Sequence, residues 1–159
     1  MPPRQAAPPG GLLRWLLDLP RWLYRLRLGW LLGHRFLLLT HRGRRSGRVH
    51  RTVLEVAAFD PGTGESIVAS GWGERTQWYR NLEAAPALEI ETGGRRYRPQ
   101  QRLLTCNEVY DVMAAYVRRY HPPQRIVARL FGLRFDGSDR GSERVQLLRG
   151  VAFRPPDQR

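Results

Sequence analysis

An arginine-rich segment in the first third of the chain has the composition of an anion-binding loop. Residues 42–51 read RGRRSGRVHR, which places five arginines, one histidine, one serine and two glycines in ten positions. Guanidinium groups bind phosphate and carboxylate oxygens through paired hydrogen bonds, and glycines let a ligand approach the backbone amides. Apolar runs at 36–40 and 52–59 flank the segment and predict strands. The pattern therefore predicts a hairpin turn that binds a polyanion, with a solvated basic loop as the alternative.

A second segment carries groups that could contact a flat heterocycle. Residues 69–82 read ASGWGERTQWYRNL, in which a predicted strand ends in a glycine loop and a helix follows. Trp78 and Asn81 are three residues apart, so they lie on one face of that helix. Backbone donors and indole rings suit a planar ligand that forms hydrogen bonds. The alternative is that Trp78 and its neighbours are ordinary core residues.

The positive charge of the chain is concentrated around the arginine-rich turn. All 27 basic residues are arginine, and the formal net charge is +13. Residues 1–53 contain 11 arginines and one acid, a net charge of +10, whereas residues 54–159 carry only +3. Charge localised in this way indicates an anionic partner at the N-terminal third.

Other kinds of site have little support in the sequence. The histidines at 34, 41, 50 and 121 show no metal-ligand spacing, and no catalytic triad, P-loop or G-x-G-x-x-G motif is present. His41 and His50 flank the turn and are expected to face phosphate or solvent rather than to act as bases. The single cysteine excludes an internal disulfide and favours a reducing, cytoplasmic compartment. The sequence contains no apolar run long enough to predict a membrane-spanning helix.

The order of predicted elements indicates a mostly β domain with flanking helices, of the α+β class. We divide the chain into a disordered lead (1–11), an amphipathic helical segment (12–35), a barrel domain (36–153) and a tail (154–159). Within the domain, strands are predicted at 36–40, 52–59, 66–70, 87–92, 95–104 and 143–153, and helices at 77–85 and 106–120. Thr76 is the predicted N-cap of the first helix, and Thr105 with Glu108 forms a capping box for the second. A small β-barrel is the architecture that this pattern predicts.

The two motif-bearing segments together resemble the deazaflavin (coenzyme F420)-dependent nitroreductase family. The resemblance covers residues 36–104 and consists of G-R-x-[ST]-G, then A-S-x-x-G, then W-Y-x-N-L, then a Gly-Gly hairpin. Members of that family are split β-barrel proteins, similar to the flavin-reductase and FMN-binding folds, that bind coenzyme F420. The resemblance thus implies an oxidoreductase that passes a hydride from the reduced coenzyme to a flat, electron-poor acceptor. Quinones, nitro compounds and conjugated carbonyls are the acceptor classes.

The resemblance also implies a role for each motif. The phosphate and polyglutamate tail of the coenzyme would be held by Gly43, Arg44, Arg45, Ser46, Gly47, Arg48 and Arg51. The deazaflavin ring would lie against Ala69, Ser70, Gly71, Trp72, Trp78 and Asn81. Tyr79 is the candidate proton donor. The family often has lysine at position 45 and after the Ala-Ser pair, where this chain has arginine and Gly71-Trp72.

Three other functions remain open on the residues alone. The protein could bind or store F420 without turnover, because the binding residues and the catalytic residues would be the same. A flavin (FMN or FAD) or haem could occupy the same barrel. A basic nucleic-acid-binding module would fit the charge, but no nucleic-acid-binding motif accompanies it, so no nucleic acid is expected.

Residues 12–35 predict an interaction outside the barrel. The segment is rich in Leu and Trp and carries five arginines and one acid. This composition is typical of a helix that lies on the anionic inner face of the cell membrane. The alternative is that its apolar face covers the barrel or a second copy of the chain, which would make the protein a homodimer.

Overall fold

Two antiparallel sheets form the framework of the protein. A computed structural model of the chain describes residues 24–25, 29–70 and 76–156. Within these residues, one four-stranded sheet has the order β2-β1-β5-β6 and the other the order β3-β4-β8-β7. The strands are β1 (Phe36–Arg42), β2 (Val49–Glu55), β3 (Ala58–Asp60), β4 (Glu65–Ser70), β5 (Glu89–Thr92), β6 (Arg95–Tyr97), β7 (Gln100–Leu103) and β8 (Arg149–Arg154). This arrangement confirms the mostly β class with flanking helices.

The hydrophobic core between the sheets arises from the alternation of side chains along the strands. Leu37, Leu39 and Ile90 from the first sheet meet Val68 and other apolar residues of the second, and all of these side chains are almost fully buried. Residues two apart on a strand point to the same face, so a single apolar run supplies this inner layer. A second hydrophobic cluster packs the helix at Cys106–Tyr120 against the outer side of the β4–β8–β7 region.

Two predicted strands are each divided in the structure, because the chain passes from one sheet to the other. The segment predicted as one strand at 52–59 becomes β2 and β3, with a break at Val56 and Ala57. The segment predicted at 95–104 becomes β6 and β7, with a break at Arg98 and Pro99. Proline has no N–H group for a ladder hydrogen bond, which explains the second break. The tight turn at 93–94 between β5 and β6 is confirmed.

Three α-helices of the described residues flank the sheets, and their bounds are α1 (Gln77–Ala84), α2 (Cys106–Tyr120) and α3 (Gln124–Phe131). The predicted capping box of α2 is confirmed, since Thr105 and Glu108 bond each other's backbone N–H groups. These bonds, with Arg102 beside the carboxylate, lower the pKa of Glu108 to about 2, so the cap is intact at neutral pH. α3 was not predicted from the sequence. The strand predicted at 143–153 was wrong for residues 143–147, which form a 3-10 helix ahead of β8.

Part of the predicted amphipathic segment packs on the barrel. Residues 24, 25 and 29–35 are its described portion, and it contains a 3-10 helix at Gly29–Leu32. The Tyr24 ring is buried, and its hydroxyl lies 3.0 Å from the carbonyl oxygen of Phe36 and 3.3 Å from that of Glu91. Burial raises the pKa of this phenol, which therefore stays protonated as a hydrogen-bond donor. The predicted lead at 1–11 and the end of the predicted tail lie outside the described residues. No helix of the described residues has the length and apolar character needed to cross a membrane.

Candidate functional site

The arginine-rich segment forms the hairpin turn between β1 and β2. The strands pair in register, with His41 opposite His50 and Thr40 opposite Arg51. Across the turn, the Gly43 N–H donates to the Arg48 carbonyl oxygen at 2.7 Å. The Gly47 N–H donates to the Gly43 carbonyl oxygen at 2.8 Å. The Arg42 guanidinium also donates to the Gly47 carbonyl oxygen at 2.9 Å, so backbone and side-chain bonds together hold the turn in one shape.

The two glycines of the turn differ in how strictly its geometry requires them. Gly47 has a φ of +66°, in the left-handed region that other residues adopt at a cost. A Cβ atom on Gly43 would lie 2.7 Å from the Ser46 Oγ and 2.9 Å from the His50 Nε2, so these two exposed side chains would have to move. The backbone of the hairpin therefore requires glycine at position 47, whereas at position 43 it leaves room for glycine beside Ser46 and His50.

A groove of about 420 Å³ separates the turn from α1. One wall is the continuous hairpin of β1, the turn and β2, and the other is α1, which lies further along the chain. The lining residues are His41, Gly43, Arg44, Arg45, Ser46, His50, Arg51, Thr52, Gln77, Trp78 and Asn81. The fold therefore brings five of the seven predicted tail-binding residues beside two of the predicted ring-binding residues, Trp78 and Asn81. Gly47 and Arg48 belong to the turn but do not line the groove.

Asn81 joins the two walls of the groove. Its side chain is 6% exposed. Its Oδ1 accepts hydrogen bonds from the backbone N–H and from Nη1 of Arg44, each at 3.1 Å. The same Nη1 also donates to Gln77 Oε1 at 2.9 Å. One guanidinium is therefore fixed against α1 by two neutral side chains, and it has no acidic partner among the described residues.

The electrostatic environment of the groove is strongly positive. No carboxylate of the described residues pairs with Arg44, Arg45, Arg48 or Arg51. Arginines elsewhere in the fold do have acidic partners, such as Arg35 with Glu55 and Arg96 with Glu91. Clustered cations repel one another, so this arrangement is suited to an anion that neutralises them. The described residues bring together no group of three potential metal ligands.

His41 lies in a different environment from the one predicted. It was expected to face phosphate or solvent, but its side chain is 3% exposed. Its Nδ1 is 3.1 Å from Asn81 Nδ2, and its Nε2 is 3.2 Å from Thr52 Oγ1. Burial, and secondarily the neighbouring His50, lowers the pKa of the imidazole. His50 is exposed beside the groove, in agreement with the prediction.

Comparison with known proteins establishes the family of the chain. A family model described as F420H(2)-dependent quinone reductase matches residues 25–126, more than half of the chain. The chain belongs to this family. It is an F420-dependent reductase, which confirms the function and the cofactor that the motif resemblance implied. None of the curated protein sequences matches it.

Solved structures confirm the fold of the reductase. A structure described as an F420-H2 dependent reductase (FDR-A) superposes with a TM-score of 0.52 at 18% sequence identity, covering 77% of this chain and 96% of that one. Another, described as a domain-swapped dimer, superposes with a TM-score of 0.52 at 16% identity and covers 90% and 99% of the two chains. The two sheets of the reductase are therefore those of a split β-barrel.

Several predicted site residues of the reductase lie away from the groove. Ala69 packs against the core cluster around α2, and Ser70 is buried at the end of β4. The Ser70 hydroxyl contacts that of Thr76, which occupies the N-cap position of α1 without capping it. Gly71 and Trp72 lie outside the described residues. The structure thus places Ser70 at the base of α1 and Ala69 in the outer core, and neither lines the groove.

Tyr79, the candidate proton donor, does not line the groove. Its side chain is 4% exposed and packs between the sheets, edge-on to Trp78 at a centroid distance of 6.0 Å. A ring in this position stabilises the core, and the role of Tyr79 as proton donor stays a prediction.

Four groove residues were absent from the predicted set of coenzyme-binding residues, namely His41, His50, Thr52 and Gln77. Thr52 and His41 alternate with exposed residues across the β1–β2 ladder, so their common face could have been inferred from the period of two. Gln77 lies one turn before Asn81, so the face that carries the predicted asparagine also contains it. The bond between the His41 ring and Asn81 spans 40 residues and has no local signal.

Proposed function

We propose that the groove between the turn and α1 holds the anionic tail of F420, and that the reductase transfers the hydride to a quinone. The observation that carries the first part is a groove lined by arginines that have no acidic partner among the described residues. The quinone is proposed from the description of the family. Nitro compounds and conjugated carbonyls are the other acceptors to be compared.

The donor set of the groove fits the tail. Arg45 and Arg51 are exposed, so their guanidinium groups are free to turn toward phosphate and carboxylate oxygens. Arg44 is already oriented by Gln77 and Asn81, which reduces the conformational entropy lost on binding. The Ser46 hydroxyl adds a neutral donor at the turn. These groups suit a chain of several negative charges better than a single small anion.

Trp78 is the residue that we propose to contact the deazaflavin ring. Its indole is 9% exposed, lines the groove and continues into the core between the sheets. A rigid aromatic surface at the end of a charged groove would orient a planar ring and exclude water from one of its faces. When bound, the coenzyme supplies the hydride. We propose solvent as the source of the proton, since Tyr79 belongs to the core.

Coenzyme titration and turnover test this function together. We expect oxidised F420 to bind with a fluorescence change that saturates at one equivalent, and FMN to bind much more weakly because it lacks the polyanionic tail. With reduced F420, we expect a quinone to be reduced faster than a nitroarene or an enone at equal concentration. Binding without turnover of any acceptor would favour the storage protein. Equal affinity for FMN would contradict the tail site.

We also propose that residues 12–35 attach the reductase reversibly to an anionic membrane surface. The support is the composition of the segment together with Arg25 and Leu31, which are exposed although Tyr24 is anchored to the barrel. Each surface arginine contributes about 1 kcal/mol at such a membrane. The homodimer expected from the same segment stays a prediction.

Co-sedimentation with vesicles checks the membrane proposal. The full chain should bind vesicles that contain anionic lipid and should not bind neutral ones, and added salt should release it. Replacing Arg14, Arg21 and Arg27 with glutamine should reduce the bound fraction several-fold. The matched control replaces Arg118, Arg125 and Arg129, which removes the same charge elsewhere. An equal loss in both variants would show that net charge, not this segment, causes the attachment.

A further inference from the structure

We propose that His41 is a positioning residue of the coenzyme site. In its neutral form it orients Asn81 and thereby Arg44, so that protonating its ring weakens binding of the anionic tail. The inference rests on the proposed function for the placement of the tail, and on the contacts of three side chains for the coupling.

The first step is the orientation of the Asn81 amide. Its Oδ1 faces the backbone N–H and the Nη1 of Arg44, and both of these groups can only donate hydrogen bonds. The oxygen must therefore be the end of the amide that faces the turn. The NH₂ end is then directed at the Nδ1 of His41, at 3.1 Å.

The second step is the tautomer of His41. An NH₂ group can only donate, so Nδ1 must be an unprotonated acceptor. The remaining ring proton is on Nε2, which lies 3.2 Å from the hydroxyl of Thr52 and donates to it. All hydrogen bonds of this buried chain are satisfied when His41 is neutral with its proton on Nε2.

The third step is the effect of a second proton. A proton on Nδ1 would confront the NH₂ group of Asn81, and the amide would have to rotate by about half a turn to present its oxygen to the ring. The NH₂ group would then face the two donors of Arg44, and both bonds to that residue would be lost. Gln77 alone would hold the guanidinium.

The charged groups around His41 favour its neutral form. Arg44 and Arg45 from the turn and Arg51 from β2 are cations that share its groove, and His50 stacks on it at a centroid distance of 5.8 Å.

Among the described residues, the acidic side chains on neighbouring elements do little to oppose the effect of these cations on the His41 ring. β5 contributes Glu89, which pairs with Arg96. The charged residues of α1, Arg80 and Glu83, are exposed. With burial, these surroundings lower the pKa of His41, so the ring binds its second proton only below its ordinary value of about 6.5.

The sign of the effect separates this coupling from simple electrostatics. Protonated histidines add positive charge to the groove, and on charge alone an anionic ligand would bind more tightly at low pH. The coupling through Asn81 predicts the opposite. Binding of F420 should weaken about ten-fold once His41 is protonated, because two hydrogen bonds that position Arg44 are lost.

NMR of the full ligand-free chain tests the coupling directly. The ¹⁵N shifts of His41 should show an unprotonated Nδ1 and a protonated Nε2 at pH 7.5. The backbone amide of Arg44, which donates to Asn81, should shift with the same midpoint as the His41 ring when the pH is lowered. A protonated Nδ1 at pH 7.5, or an Arg44 amide that does not follow His41, would overturn the proposal.

Calorimetric titration with oxidised F420 across the same pH range tests the effect on the ligand. His41→Asn cannot be protonated, so its affinity for F420, whatever its value at pH 7.5, should show no such loss as the pH is lowered. Wild type should lose about ten-fold in affinity for F420 when His41 is protonated, and His41→Asn should not. Any effect of pH on the coenzyme itself is the same in both titrations, so it cancels in the comparison. His50→Gln should retain the loss.

The possible results have separate meanings. The same pH dependence in wild type and His41→Asn would overturn the effect on the ligand. Failure of F420 to bind at any pH would overturn the proposed function and this effect with it, and the Arg44 amide would still decide the coupling. If His41→Asn does not fold, the loss in wild type must follow the His41 midpoint measured by NMR; a loss with another midpoint would overturn the proposal.

Discussion

Replacing Arg44 and Arg45 together with alanine should weaken the binding of oxidised F420 by at least ten-fold. Hydrogen bonds to charged groups contribute about 1.5–3 kcal/mol each, and about 1.4 kcal/mol corresponds to a factor of ten in the dissociation constant. Arg44 is oriented into the groove by Asn81 and Gln77, and Arg45 is exposed at its edge. Fluorescence titration at fixed ionic strength measures the change.

A matched variant separates the site from the net charge. Arg125→Ala with Arg129→Ala removes the same two charges from exposed positions on α3, away from the groove. This variant should bind F420 about as wild type does. Added salt screens the attraction between the arginines and the tail, and the screening length falls to about 8 Å at physiological ionic strength. Salt should therefore weaken binding to wild type more than binding to the Arg44/Arg45 variant, which lacks two of these charges. An unchanged dissociation constant in the Arg44/Arg45 variant would contradict the assignment of the tail to the turn.

Replacing Trp78 with alanine should lower the free energy of unfolding by about 3–5 kcal/mol. The indole is 9% exposed and packs with Leu37, Leu39 and Phe153 in the core between the sheets, so truncation leaves a cavity. For a chain of this size, roughly 2–4 °C of melting temperature is lost per kcal/mol. Thermal unfolding followed by circular dichroism should therefore show a decrease of about 10 °C.

Trp78→Phe serves as the control for the two roles of this residue. It retains an aromatic ring in the core and should recover most of the lost stability. Its shorter ring reaches less of the groove, so the Michaelis constant for the quinone should rise while the melting temperature stays near that of wild type. A melting temperature unchanged in Trp78→Ala would show that the indole does not contribute to the core. Normal turnover by both Trp78→Ala and Trp78→Phe would show that the deazaflavin ring of F420 binds elsewhere.

The position of Asn81 changes what its substitution should report. The motif resemblance assigns Asn81 to the ring, independently of the tail. In the structure its oxygen holds Arg44, and its amide nitrogen contacts His41. A substitution at Asn81 therefore perturbs the arginine turn, and tail and ring binding are linked through one buried side chain.

Features that depend on near neighbours in the chain were predictable from the amino-acid sequence. The arginine turn with its two glycines, the capping box of α2 and the Gly-Gly turn between β5 and β6 are all specified within a few residues. The order and spacing of the motifs were also sufficient to indicate the family and its cofactor. In each case the requirement is local: a positive φ at Gly47, a cap at Thr105, a charge cluster at 42–51.

How these pieces meet depends on contacts that form only in the folded chain. Whether residues 52–59 and 95–104 are one strand or two depends on which sheet each half pairs with. The alternation of apolar residues is the same on both sides of the point where the chain crosses between the sheets, so it does not mark that point. The burial of His41, its bond to Asn81 and the placement of Tyr79 in the core follow from packing α1 against β1 and β8. These contacts join residues far apart in the chain, 40 positions for His41 and Asn81 and more for α1 and β8, so their energy depends on the complete fold and leaves no periodic signal in the sequence.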